Sequence, residues 1–181
     1  AVRPIKFLED IDDLFELLPL RGLHFFDSGS IDWIADCERI LRIRELNLSG
    51  CVLSSSGSDV PLVLRSKYLA NPVSLDASGF DDNGHLDNRG LMALANSKHF
   101  QNLERLDLGN NWMFVDTPSR TATVTRKLLW RLGANMPALR ELCLTAMELK
   151  CAEVSGLAGQ PWVAKLRKLD LSSNEIGAAG V

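Results

Sequence analysis

The chain has 181 residues, 46% of them hydrophobic and 24% charged, with a formal net charge of −3. Those proportions describe an ordinary soluble protein of about one domain. No stretch approaches the roughly 18 uncharged apolar residues that a membrane span needs, and no basic segment followed by an apolar one marks a secretion signal. The first residue is Ala1 rather than methionine, which leaves an upstream segment open.

In chain order, Phe7, Leu8, Ile11, Leu14, Phe15 and Leu18 come first, at the spacing of an amphipathic helix. Residues 1–19 are therefore expected to cap the array that follows, or to end a repeat that precedes it. From residue 20 one pattern recurs, L-x-x-L-x-L-x-x-N. Its copies are Leu20, Leu23, Phe25 and Ser28; Ile43, Leu46, Leu48 and Cys51; Ala70, Val73, Leu75, Ser78 and Phe80. Leu103, Leu106, Leu108 and Asn111 follow, then Leu139, Leu142 and Leu144 with Met147 at the asparagine position, then Leu166, Leu169, Leu171 and Asn174. The starts at 20, 43, 70, 103, 139 and 166 are separated by 23, 27, 33, 36 and 27 residues. Recurrence at such a period is the mark of a solenoid, in which no single unit buries its own apolar face.

Each copy reads as a short strand, a turn and a returning helix. Side chains alternate along a strand, so the paired leucines of every copy point into one core. Behind the strands the apolar spacing turns helical: Ile31, Ile34, Ala35 and Ile40; Leu91, Leu94, Ala95 and Phe100; Val124, Leu128, Leu129, Leu132 and Met136, ended by Gly133 and Pro137. Asn111 and Asn174 are expected to bond to the backbone of neighbouring turns. Cys51 and Ser78 do so more weakly, and Met147 demands an altered turn.

The segment from Gly90 to Leu108 resembles the helix-then-strand unit of ribonuclease-inhibitor-like leucine-rich repeats, and Asn174 through Gly180 does likewise. Phe7-Leu8 through Pro19-Leu20-Arg21-Gly22-Leu23 looks like the repeat regions of large bacterial proteins of this type. The resemblance covers nearly the whole chain. It implies an α/β horseshoe, a leucine-rich repeat solenoid spanning 20–181, with a parallel sheet on the concave side and helices on the convex side. It implies binding, without naming a ligand. Val181 falls where the sixth helix is expected to begin, so the sequence reads as a fragment truncated within its last repeat.

Strand residues turned away from the core form three expected rows. They are Gly22, Glu45, Pro72, Arg105, Glu141 and Lys168; His24, Asn47, Ser74, Asp107, Cys143 and Asp170; and Phe26, Ser49, Asp76, Gly109, Thr145 and Ser172. At about 4.8 Å per strand, six strands present a face roughly 24 Å across, wide enough for a standard protein interface. The candidate partner-binding residues are Phe26, Glu45, Asp76, Arg105, Asp107, Trp112, Glu141, Lys168 and Asp170. Phe26 and Trp112 stand out as aromatic anchors, although Trp112 is equally suited to covering the loop after it, and aspartate at 107 and 170 is ordinary in such repeats. Extra residues between Met113 and Lys127 form an edge loop of the kind that often contacts a partner. Trp33, Trp130 and Trp162 fall in helical segments and are expected in the core.

Arg21, Arg44, Arg140 and Arg167 share one template position, but Asn71 and Glu104 interrupt the row, so no nucleic-acid partner is expected. His24 and Cys143 share a row but lie four strands apart, about 19 Å, too far for a nucleophile and its base. Asp81-Asp82-Asn83-Gly84-His85 lacks the order of a calcium loop. Neither a catalytic residue, a metal site nor a cofactor is expected. Cys37, Cys51, Cys143 and Cys151 include no C-x-x-C pair and read as reduced cytoplasmic thiols. Asn47-Leu48-Ser49 matches a glycosylation sequon inside a strand, where it is coincidental. The expected function is a protein-protein interaction module that holds a protein partner, or another domain of the same polypeptide, on the concave face. The alternative is a sensing or scaffold segment of a larger enzyme or defence-type protein whose catalytic domain lies outside this chain.

Overall fold

A computed structural model describes residues 15–25, 31–49, 51, 59–79, 86, 88–111 and 127–177. Within them lie six three-residue strands: β1 Gly22–His24, β2 Glu45–Asn47, β3 Ser74–Asp76, β4 Arg105–Asp107, β5 Glu141–Cys143 and β6 Lys168–Asp170. They form one parallel sheet in the order of the chain. Parallel neighbours need a crossover between them, and helical segments supply it.

The register lines up Leu23, Leu46, Leu75, Leu106, Leu142 and Leu169 at the strand centres. A second file two residues on, Phe25, Leu48, Ala77, Leu108 and Leu144, is buried in the same core. One carbonyl ahead of each strand fixes the offset to the next repeat. Arg21 O accepts from the N–H of Arg44 at 2.6 Å and of Glu45 at 3.0 Å, and Arg44, Val73, Glu104 and Arg140 repeat the arrangement.

The returning layer differs along the array. The first return comprises two 3-10 helices, Asp32–Asp36 and Glu38–Arg42, instead of the α-helix its apolar spacing suggests. A 3-10 helix rises about 2.0 Å per residue against 1.5 Å, which suits the shortest repeat. Ile31, Ile34, Ala35 and Ile40 are buried as expected. Behind the middle repeats run α1 Asp59–Leu64 and α2 Asn88–Asn96, and α3 Cys151–Ala158 follows β5. α1 packs between the first 3-10 helix and α2, and α2 packs on the 3-10 helix Leu132–Asn135. Leu91, Leu94, Ala95 and Phe100 are fully buried. At the N-terminal end, Phe15 is buried and its carbonyl accepts from Arg42 Nη1 at 2.8 Å. Phe7, Leu8, Ile11 and Leu14 lie outside the described residues, as does Val124.

Two expectations need correction. The third repeat sits two residues later than its sequence suggests, starting near 72 rather than 70: Leu75 pairs with Leu46 and Leu106 at the strand centre. Pro72 and Ala77 then occupy leucine positions, and both are buried. Val73-x-Leu75 imitates the leucine pair, but only Leu75-x-Ala77 places the large side chain between its neighbours. Because the side-chain period is two, the shift preserves which residues face the core. Secondly, the helix before β5 does not stop at Gly133 but passes from α, ending at Arg131, into a 3-10 turn that ends before Pro137. Gly133 lies inside Leu132–Asn135, buried, with Met136 closing the segment.

The asparagine ladder is present. Asn111 is fully buried; its Nδ2 donates to Ala77 O at 2.7 Å and Leu108 O at 2.9 Å, and its Oδ1 accepts from Leu86 N–H at 3.0 Å. Asn174 donates to Leu144 O and Leu171 O and accepts from Met147 N–H and Leu149 N–H. Each asparagine thus closes the turn of the repeat before it. The residue ahead of the ladder position is left-handed in every described copy: Gly79 (φ 46°), Asn110 (57°), Ala146 (51°) and Ser173 (57°). Met147 keeps that first half of the turn. The expected alteration comes one residue later, where Glu148 is left-handed at 55° and its counterpart Glu175 is not. Alanine gains nothing at a positive φ, so Ala146→Gly is expected to stabilise the protein by about 0.5–1 kcal/mol in denaturant melts.

Candidate functional site

The sheet face away from the core carries the register-matched rows. The first is Gly22, Glu45, Ser74, Arg105, Glu141 and Lys168; the second is His24, Asn47, Asp76, Asp107, Cys143 and Asp170. The two-residue shift therefore replaces Pro72 by Ser74 in the first row and Ser74 by Asp76 in the second. It puts Ser78 where Asp76 was expected in the third, and Val73 rather than Asn71 beside Arg44 and Glu104. Bringing Asp76 next to Asp107 concentrates acid in the centre of the face.

The first row alternates in charge. Arg105 reaches across Ser74 to Glu45, Nη2 to Oε1 3.5 Å, with both side chains largely exposed. Such a pair contributes at most a few tenths of a kcal/mol, so both groups remain available to a partner. Around Ser74, Arg105, Glu141 and Lys168 the face dips into a shallow depression floored by Leu75, Leu106 and Leu142.

The second row has a structural task that the sequence reading passed over. Asn47 Oδ1 accepts from Ser49 N–H at 2.8 Å and Oγ at 2.7 Å. Asp76 accepts from Ser78 N–H at 3.0 Å and Oγ at 2.6 Å, and Asp170 from Ser172 N–H at 3.0 Å and Oγ at 2.7 Å. Asp107 accepts from Gly109 N–H at 2.8 Å. Each bond bends the chain out of its strand in the manner of an Asx turn. The signal was legible as Asn-x-Ser or Asp-x-Ser at one template position. It also accounts for the sequon: Asn47 Oδ1 is committed to Ser49, and its Nδ2 donates to Asp76 Oδ2 at 2.9 Å. Hydrogen bonds from Ser172 hold the Asp170 carboxyl below its ordinary pKa. Burial pushes the Cys143 thiol up, against the opposing hydrogen bond with Thr145, so it is a poor nucleophile at neutral pH.

Of the expected site residues, Glu45, Asp76, Arg105, Asp107, Glu141, Lys168 and Asp170 share this one face. Phe26 and Trp112 lie outside the described residues, as do the edge loop after Met113 and the segment Asp81 to His85. Trp162 is buried, and Trp33 and Trp130 pack against the core from its margin. His24 and Cys143 stand in one row separated by Asn47, Asp76 and Asp107. Among the described residues no three His, Cys, Asp or Glu side chains converge on a metal position, and no helix is long and apolar enough to cross a membrane.

A family model described as Leucine Rich repeat matches residues 164–181. That stretch contains β6 and Asn174, and the register carries the same unit back through all six strands. The fold is a leucine-rich repeat solenoid. No curated protein matches the chain. A leucine-rich repeat array generally serves as a non-catalytic interaction scaffold, and protein is its usual partner, because stacked repeats expose an extended surface without enclosing a cavity.

Proposed function

We propose that this solenoid is a protein-recognition module that holds its partner across the sheet face. Glu45, Asp76, Arg105, Asp107, Glu141, Lys168 and Asp170 make the polar contacts, and Phe26 and Trp112 are the aromatic anchors. The observation that carries the reading is the division of the sheet: one face packs leucine, with Phe25 and Ala77, into the core, and the other carries seven charged side chains in register. Alternating charge in the first row favours a partner with complementary charges over one of uniform sign, since mismatched like charges are costly. A binding role is in keeping with the wide spacing of the sheet histidine and cysteine, about 19 Å, and with burial pushing the Cys143 thiol up. Four cysteines outside any disulfide suit a reducing compartment such as the cytoplasm.

The test is affinity capture from cells that make the protein, read by quantitative mass spectrometry. A face variant, Glu45→Lys/Arg105→Glu/Glu141→Lys, is expected to lose at least about tenfold in enrichment of the principal partner. A back variant, Leu62→Ser/Met92→Ser, is expected to retain it. The reading is lost if the face variant captures the partner as well as the parent does.

A further inference from the structure

On the outer layer, α1 and α2 pack side by side, and a groove opens at their C-terminal ends. Arg65, Met92, Ala93, Ser97, Lys98 and His99 line it, with Asn96 beside them, and none of these residues is acidic. Ala93 is buried, whereas Met92 is 40% exposed and Leu62 on α1 is 51% exposed. Residues three apart share a helix face, so Leu62 extends the apolar strip from the side of Arg65. The polar wall is engaged within the chain: Asn96 Nδ2 donates to Met92 O at 2.9 Å, and Ser97 Oγ accepts from His99 N–H at 3.3 Å. Charge around the groove runs against that of the chain, whose net is −3. The five connections leading into β2 to β6 each carry a base, among them Arg44, Lys67, Lys98, Arg140 and Lys165, with Glu38 and Glu104 as interruptions. Hydrogen bonds from strand to strand stack these connections along one edge of the solenoid.

We propose that this groove docks an acidic peptide segment of a second protein. An apolar side chain of the segment seats over Met92 and Ala93, and its aspartate or glutamate carboxylates meet Arg65 and Lys98. The two parts of the groove have different tasks. Covering Met92 and Leu62 supplies most of the affinity, because exposed ion pairs contribute little. The bases select which segments enter and speed their encounter. A nucleic-acid backbone would answer the bases but leave the apolar strip uncovered, and Glu38 and Glu104 break the continuous stripe it needs. The groove lies on the helical layer, behind the sheet, so it does not depend on the sheet-face reading.

Selection of random displayed peptides on the 181-residue chain, run in parallel on Arg65→Glu/Lys98→Glu, tests the proposal. Peptides kept by the parent and lost by the variant are expected to be rich in aspartate and glutamate around an aliphatic or aromatic residue. One such peptide, labelled and titrated by fluorescence anisotropy, is expected to lose at least about tenfold in Kd on Arg65→Glu/Lys98→Glu. A similar loss is expected on Leu62→Ser/Met92→Ser, the variant that spares the sheet-face partner. The face variant Glu45→Lys/Arg105→Glu/Glu141→Lys is expected to bind the peptide as the parent does, so the two surfaces fail or succeed separately. Thermal melts of each variant separate lost binding from misfolding. Selection that yields no acidic peptide sensitive to Arg65 and Lys98 overturns the proposal, as does an affinity that ignores the Leu62 and Met92 changes. It is also overturned if a single-stranded oligonucleotide or phosphatidylserine vesicles, offered alongside the peptide, take the groove in its place.

Discussion

Replacing Asn111 with alanine is expected to lower the stability of the solenoid by about 3 kcal/mol or more, because three buried backbone groups lose their partner at once. The Ala77 and Leu108 carbonyls and the Leu86 N–H all depend on this amide. Alanine cannot bond to any of them, and with Asn111 fully buried, water does not readily replace it. Over a chain of this length the loss corresponds to a fall in Tm of about 6–12 °C. Asn111→Asp keeps the acceptor but deletes both donors, so its cost is expected to be similar. Asn174 makes equivalent bonds but is only part-buried, and Asn174→Ala is expected to cost less, about 1–2 kcal/mol. Thermal or urea melts supply the totals, and hydrogen exchange at Leu86 supplies the local readout. A Tm for Asn111→Ala within about 2 °C of the parent would show that the ladder is dispensable.

The second large effect is expected where two glycines meet two tryptophans. A Cβ built on Gly133 falls 2.2 Å from Cδ2 and Cε3 of Trp162, and one built on Gly156 falls 2.2 Å from Cζ2 of Trp130. Neither indole is free to yield. Trp162 is buried and donates Nε1–H to Trp130 O at 2.8 Å, while Trp130 donates to Glu153 O at 3.3 Å. Overpacking of this kind costs about 1–3 kcal/mol and sometimes more. With a rigid ring on the contact we expect the upper end, about 3 kcal/mol, for Gly133→Ala and for Gly156→Ala. Gly159 is the control: its nearest foreign atom is 3.6 Å away and its φ is −72°, so Gly159→Ala is expected to be neutral or slightly stabilising. In a double-mutant cycle, Trp162→Ala should remove most of the penalty of Gly133→Ala. Additive costs would place the strain elsewhere.

Both predictions concern contacts between repeats, and they differ in how visible they were beforehand. Asn111 and Asn174 stand at a fixed offset from paired leucines, so their place and their bonds could be argued from the pattern alone. Gly133 could not be read this way. Beside Pro137 it looked like a helix end, because glycine commonly stops helices; here it is needed because an indole 29 residues later occupies the space of its missing side chain. The third repeat misled for a related reason. With Pro72 and Ala77 at leucine positions, Val73 and Leu75 offered the better local match, and only pairing with β2 and β4 selected the true register. That choice also moved Asp76 beside Asp107. The acidic aspartates of the candidate site were found from their outward-facing positions, but their use in ending the strands was not, because it depends on hydrogen bonds two residues on.

The amino-acid sequence by itself determined the unit: leucines at a spacing of two that must share a core, a polar ladder position, and a recurrence that obliges successive strands to lie parallel. Local pattern suffices there because each repeat poses the same burial problem and admits the same solution. Tertiary structure decided what the units do to one another. It set the register of the irregular copy, interlocked the two tryptophans with the two glycines and converted the shortest return to 3-10 turns. These outcomes turn on side-chain volumes and backbone donors from residues far apart in the chain, and such contacts acquire an energy only once the coils are stacked.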